Sequence, residues 1–321
     1  GDNGPISVFE TPWSFTNNID IIGGGERSTF RLSYTNLDQT GIMPNSSLKK
    51  NNVLLNGSYD VLDNLKVSAS ANYISTNGKG RNPTGYSDNQ MSSFRQWWQT
   101  NVDILQQKDI YEATERNVTW NPKSPTNLDP IYWDNPYWQR YQNYQTDERD
   151  RLLGWVQADW EITDYLSLMG RYSIDTYSEL HEERKAVGSV SGEFGVGRPD
   201  VTSGYARFDR TFTETNIDFI ARFNKYLGED FNLTALLGTN IRRTTEDQVF
   251  ASTDGGLIVP GLYALSNSAN QMLAPEERLA EIGVNGYFAG VSVGYKNLVY
   301  LDGNFRYDQS STLPKDKWGY P

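Results

Sequence analysis

The side chains best equipped for chemistry are few and poorly spaced for it. Glu276 and Glu277 are the nearest approach to a glycosidase dyad, but adjacent acids diverge on the short helix that Pro275 and the two acids predict. His181 is the single histidine. Glu182 and Glu183 stand beside it without the second-ligand spacing of a metal site, so an exposed loop histidine is the simpler reading. Asp254-Gly255-Gly256 is a turn before it is a calcium loop. The stretch Gly192-Glu193-Phe194-Gly195-Val196-Gly197 does not fit the dinucleotide fingerprint, and Gly188-Ser189-Val190-Ser191-Gly192 puts Val190 where a nucleophile-elbow serine belongs. No catalytic residue, metal site or cofactor emerges. What stands out is aromatic: Trp97, Trp98, Trp120, Trp133, Tyr137, Trp138, Tyr141 and Tyr144. Such side chains stack on sugar faces and anchor protein interfaces, with large contact area and a polar handle. The plainer alternative is that most of them pack their own segment, and Asn135-Pro136-Tyr137-Trp138 in particular reads as a rigid turn.

The elements that must position these residues repeat one pattern. Between Leu152 and Tyr177, Gly154, Val156, Ala158, Trp160 and Ile162 alternate with Trp155, Gln157, Asp159 and Glu161. The chain reverses at Thr163-Asp164, and Leu166, Leu168, Gly170, Tyr172 and Ile174 then alternate with Ser167, Arg171, Ser173 and Asp175. Period two means a strand with an apolar and a polar face, and the reversal makes a hairpin. Limbs of about ten residues, tilted as in barrels, span roughly the 25 Å apolar band of an outer membrane. Val53 to Val61 with Leu65 to Tyr73, Ile217 to Phe223 with Phe231 to Ile241, and Tyr287 to Tyr295 with Val299 to Phe305 repeat the unit, and Asn17 to Ile21 with Phe30 to Tyr34 opens it.

Ten strands result, joined by five short turns and four longer loops in strict alternation. Outer-membrane barrels sort their connections in this way, with short periplasmic turns and long external loops; a soluble sandwich has no reason to. Tyr59, Trp160, Tyr165, Phe231 and Tyr295 cluster beside the short turns, where an interfacial girdle belongs. The long connections are expected at 77–150, 180–204 and 247–283. The first carries a helix candidate with Trp97, Val102, Leu105 and Ile110 toward one face.

Composition narrows the class further. Mean hydropathy is -0.63, and no run approaches the ~18 apolar residues of a membrane helix. The net charge of -11 opposes a nucleic-acid partner, which wants a basic face. Cysteine is absent, which excludes disulfides and thiol chemistry. Gly1 opens no signal-peptide pattern. The fold class expected is therefore all-β, a transmembrane antiparallel β-barrel. An open ten-stranded sheet would leave two unpaired edges in lipid, so these strands should belong to a larger closed barrel.

The closing stretch, YFAGVSVGYKNLVYLDGNFRYDQSSTLPKDKWGYP, resembles the SusC-like family of TonB-dependent outer-membrane transporters. GGGERSTFRLSYTNLDQTGIMPNSSLKKNN, NPYW at 135–138 and PGLYALSNS at 260–268 carry the same resemblance in matching order. The resemblance implies a barrel of about 22 strands, an N-terminal plug inside it and a SusD-like lipoprotein as its lid. It also implies energy from TonB, an oligosaccharide or peptide solute, and residence in the outer membrane of a Gram-negative bacterium. The plug, the TonB box and the other strands have no counterpart in these residues. On that reading Arg31, Gln157, Asp159, Glu161, Arg171, Asp175, Asp218 and Arg222 face the lumen, lining the solute path or holding the plug, because a charge facing lipid at mid-depth costs about 2–4 kcal/mol. The competing readings are a barrel of this kind recruited as scaffold in another envelope assembly, and a soluble surface β-sheet module that binds glycans. An outer-membrane enzyme would need an acid/base pair at the external rim, and the sequence offers none.

Overall fold

The structure, a computed structural model, describes residues 2–195 and 198–320. Val196 and Gly197 of the glycine-bearing stretch, and the terminal Gly1 and Pro321, lie outside the described residues. Among the described residues ten long strands form one antiparallel sheet in chain order. They are β1 (Ser14–Gly25), β2 (Ser28–Thr40), β3 (Ser47–Leu62), β4 (Leu65–Lys79), β5 (Gln145–Thr163), β6 (Leu166–Lys185), β7 (Gly204–Leu227), β8 (Phe231–Ser252), β9 (Glu276–Tyr295) and β10 (Val299–Ser310). A two-residue strand, β11 (Gly319–Tyr320), pairs with the end of β10. Among the described residues the outer edges of β1 and β10 have no other strand beside them. The turns at 26–27, 63–64, 164–165, 228–230 and 296–298 lie at one end, and the connections 41–46, 80–144, 186–203 and 253–275 at the other.

Side-chain parity is continuous from strand to strand. One row across β3 to β10 reads Tyr59, Val67, Ala158, Gly170, Phe219, Thr239, Tyr287 and Tyr307. The adjacent row, one residue over, reads Ser58, Ser68, Gln157, Arg171, Asp218, Asn240, Gly286 and Asp308. The first row belongs to a face on which Val156, Phe219, Leu237 and Val291 are exposed. A largely apolar exposed face of this extent needs a non-aqueous surrounding. The fold is a wall of a transmembrane β-barrel.

The turn chemistry supports this register. Lys296 and Asn297 both adopt left-handed φ, 52° and 57°, as the two central residues of a tight turn closed by Leu298 N donating to Tyr295 O at 2.9 Å. Register shifts beside the turns at 63–64 and 164–165 are confined to Asp60/Leu62 and Glu161/Thr163, so parity above them is undisturbed. Phe231 and Tyr295 pack at 5.0 Å beside one turn, and Lys225 lies 4.3 Å over the Tyr165 ring beside another.

Two expectations are overturned. Pro275-Glu276-Glu277-Arg278-Leu279 starts no helix, since Glu276 opens β9. Its capping pattern is real, but pairing with β8 outcompetes a short isolated helix. His181 does not sit in a loop. It lies near the end of β6, where His181, Glu183 and Lys185 share one face and Glu182 and Arg184 the other. The strands run beyond the apolar band, and out there both faces are polar, so alternation of hydropathy fades while pairing continues.

The two faces differ measurably. Val156→Arg, opposite Ala69 and Tyr172 on the apolar face, is expected to destabilise the full-length protein in lipid by about 2–4 kcal/mol. Gln157→Arg, one residue along, is expected to stay within about 0.5 kcal/mol. Urea unfolding from vesicles, followed by tryptophan fluorescence, makes the comparison; equal costs would refute the assignment of faces.

Candidate functional site

The connections 41–46, 80–144 and 186–203, with the segment before β1, gather into a small folded cap over one end of the wall. Its elements are a 3-10 turn (Pro5–Val8), three helices, α1 (Gln90–Gln96), α2 (Ile104–Thr114) and α3 (Pro136–Gln142), and two short strand pairs, Pro122–Ser124 with Asn127–Pro130 and Gly192–Glu193 with Asp200–Val201. Val8, Ile104, Tyr111, Tyr137, Trp138 and Ala186 form its apolar core, with Phe94 and Trp98 packed against it. The helix expected from the sequence is present in part as α2, which leaves Trp97 and Val102 outside it and buries a different face. Ile104, Gln107 and Tyr111 turn inward and Leu105 outward, because Asp103 caps the helix at Leu105 N (2.9 Å) and so sets its phase.

Asn135 organises the middle of the cap. Its Oδ1 accepts from Tyr137 N at 2.8 Å and Trp138 N at 3.4 Å, capping α3, while Pro136 takes the first helical position. Its Nδ2 donates to Gln107 O at 2.8 Å and Val118 O at 2.9 Å. The four residues are thus a capped helix start, not a free-standing turn. Arg140, on the same helix, is 2 % exposed. Its Nε donates to Pro44 O at 3.0 Å and its Nη2 to Gly80 O, so a buried guanidinium is held by backbone carbonyls. Burial pushes its pKa down to about 10. Gly80 has φ of 69°, and a Cβ there would stand 2.0 Å from Asn45 O, so no other residue fits.

The aromatic candidates divide into three groups. Tyr137 and Trp138 are core: burial pushes the Tyr137 hydroxyl up to about 12, and Trp138 Nε1 donates to Ser189 Oγ at 2.9 Å. Trp98 lies edge-on to Phe94 (5.4 Å) and Trp120 (5.7 Å), again packing the cap. Trp97 and Trp133 stack at 6.0 Å, and Trp97, 45 % exposed, donates to Tyr86 Oη at 2.8 Å. Tyr141 stacks on Tyr111 at 5.5 Å and keeps an exposed face. Lys79 (4.9 Å) and Arg184 (5.0 Å) both lie over the Tyr144 ring. The surface accessible to another molecule therefore centres on Trp97 and Trp133, together with Tyr86 and Tyr132, which the sequence reading did not single out.

All eight charged or polar wall residues share the face opposite the apolar one. Six of them are tied in place by neighbouring side chains, on the adjacent strand or, for Gln157 and Asp159, on the same one. Arg31 donates to Asp20 (2.9 Å), Arg171 to Asp218 (2.8 Å), Arg151 to Asp175 (2.7 Å) and Gln157 to Asp159 (2.7 Å). Asn240 Nδ2 adds a second donor to Asp218 at 2.7 Å. Arg149–Glu179 and Arg210–Glu246 continue the ladder toward the cap. Glu161 and Arg222 stand nearest the short turns, exposed. His181 Nε2 lies 2.7 Å from Glu179 Oε1. Among the described residues no cluster of acids and histidines suited to a metal ion is present.

Solved structures resemble this arrangement. The RagAB peptide transporter matches with a TM-score of 0.73 at 17% identity, over 99% of this chain and 34% of that one. The RagAB peptide importer in its open-open state matches with a TM-score of 0.70 at 17% identity, over 97% and 33%. BauA, the ferric preacinetobactin receptor from Acinetobacter baumannii, matches at 0.52 with 13% identity, over 94% and 42%. No protein-family model and no curated protein matches the chain. The fold is shared with the barrels of outer-membrane transporters. The chain spans about a third of the length of the RagAB chain it matches.

Asn135→Ala removes the α3 cap and the side-chain bonds to Gln107 O and Val118 O. It is expected to loosen the cap by about 1–3 kcal/mol, seen as faster amide exchange in α2 and α3 with the strands unchanged. Exchange that speeds equally in β5 and β6 would show that the cap is not a separate unit.

Proposed function

We propose that this chain forms part of the wall and mouth of a TonB-dependent transporter of the SusC-like type in the outer membrane of a Gram-negative bacterium. The observation that carries this reading is the two-faced wall. One face is apolar and exposed, the other is an ion-paired polar ladder, and a folded aromatic cap stands at the long-loop end. An apolar exterior suits lipid, and a polar interior suits a hydrated path for a solute. The similarity to the RagAB fold over nearly the whole chain supports it.

On this reading the eight polar residues from Arg31 to Arg222 line the lumen or hold the plug. The strands beyond β1 and β10 complete the barrel, since their backbone edges would otherwise lie unpaired in hydrocarbon. A SusD-like lipoprotein sits over the cap, where Trp97, Trp133 and Tyr141 offer contact to lid or solute. The solute is an oligosaccharide or a peptide, and TonB supplies the energy through a segment outside these residues. The protein works by binding and gating, with no chemical step of its own.

The full-length protein is expected to need detergent for extraction, to show heat-modifiable gel mobility, and to co-elute with a SusD-like lipoprotein. Deleting its gene is expected to abolish uptake of a peptide or oligosaccharide by intact cells. Recovery in plain buffer would overturn the membrane assignment. Co-elution with secretion or barrel-assembly components, with uptake intact, would replace transport by a scaffold role.

A further inference from the structure

Where the cap meets the ends of β5 and β6, the connections 80–144 and 186–203 enclose a cavity of about 80 Å³. Its lining brings together Asp88 and Asp134 from the cap, Lys185 from the wall, and an aromatic side made by Tyr132 and Trp133. Of the wall residues that reach it, Gln145, Glu183 and Lys185 lie on the polar face and Arg184 on the other, so the cavity adjoins the polar face.

The acids of this cavity outnumber the cations free to answer them. Asp88 Oδ1 is buried with no hydrogen-bond partner among the described residues. Asp134 takes Val190 N at 2.7 Å and Asn117 Nδ2 at 2.6 Å on one carboxyl oxygen, and only a 3.4 Å contact from Asn143 on the other. The nearby basic groups are largely engaged. Arg184 turns to the other face and pairs with Glu182 at 2.6 Å, and Arg198 pairs with Glu183. Lys185 Nζ donates to Gly192 O at 3.0 Å and offsets part of the charge of the two aspartates. A buried carboxylate oxygen without a donor costs about 1–3 kcal/mol or more, so such a site is poised for a donor from outside. By this measure one water needs about 10–15 Å³, so the cavity has room for a small charged group of several heavy atoms. An aromatic side is an added attraction for a cation.

We propose that this cavity seats the ammonium or guanidinium head of a basic side chain on a peptide solute, against Asp88 and the Tyr132–Trp133 side. This rests on the reading of the chain as a transporter mouth and narrows its solute class. The test is calorimetry on the full-length protein in detergent, with N-acetyl-arginine amide and its neutral counterpart N-acetyl-citrulline amide as probes. The arginine amide is expected to bind at least tenfold more tightly, with affinity that falls as salt rises. Asp88→Asn is expected to bring it down to the citrulline level. Circular dichroism and gel mobility identify a misfolded variant; in that case the salt dependence on the unaltered protein decides. Equal binding of the two probes, absence of binding by both, or an unchanged affinity in Asp88→Asn would overturn the proposal. Uptake of neutral peptides alongside such a result leaves transport standing and removes the cavity's role. Arginine amide binding without uptake of any solute does the reverse.

Discussion

In hydrocarbon an unpaired backbone N–H or C=O costs several kcal/mol, and this penalty governs the whole molecule. A strand can cross only if both of its edges are occupied. β2 to β9 meet that condition with a neighbour on each side. Once strands are locked edge to edge in register, side chains can only alternate, and every residue is assigned to oil or to water by its parity. The ladders, the aromatic girdle and the position of the cap all follow from that assignment.

The molecule consequently inverts the usual layout of a globular protein. Large apolar residues of the wall, such as Phe219 and Leu237, are exposed, while a compact apolar core appears in the connections. Salt bridges on the polar face are half-exposed, and such pairs contribute only about 0–1 kcal/mol each. Their role here is to neutralise and fix charge along a wetted surface, leaving stability of the wall to backbone pairing. In the cap the balance is reversed. There a few side chains with several bonds each, Asn135 and Arg140 foremost, do what the ladder does in the wall.

Much of the wall was legible in the sequence because period two survives wherever one face meets lipid. Val67 to Tyr73 and Leu166 to Ile174 could be assigned to faces from their order alone. Legibility ended where the strands leave the apolar band. His181 to Lys185 and Glu276 to Leu279 are polar or mixed on both sides, and only pairing with neighbours, which one segment does not display, makes them strands. The cap was partly legible. Its aromatic content announced order, but the buried face of α2 includes Gln107, whose polarity disguised it. Asn135 drew notice as part of a turn motif, yet its bonds to Gln107 and Val118 join residues far apart in sequence. Asp88 carried no signal at all, because its surroundings come from distant parts of its own connection and from 186–203.

The core of the cap draws Val8, Ile104, Tyr137 and Ala186 from segments that flank four different strands, all on the same side of the apolar band. Peeling any one of those strands away would tear this shared core, so the cap works as a clasp across the ends of β1, β4, β5 and β6.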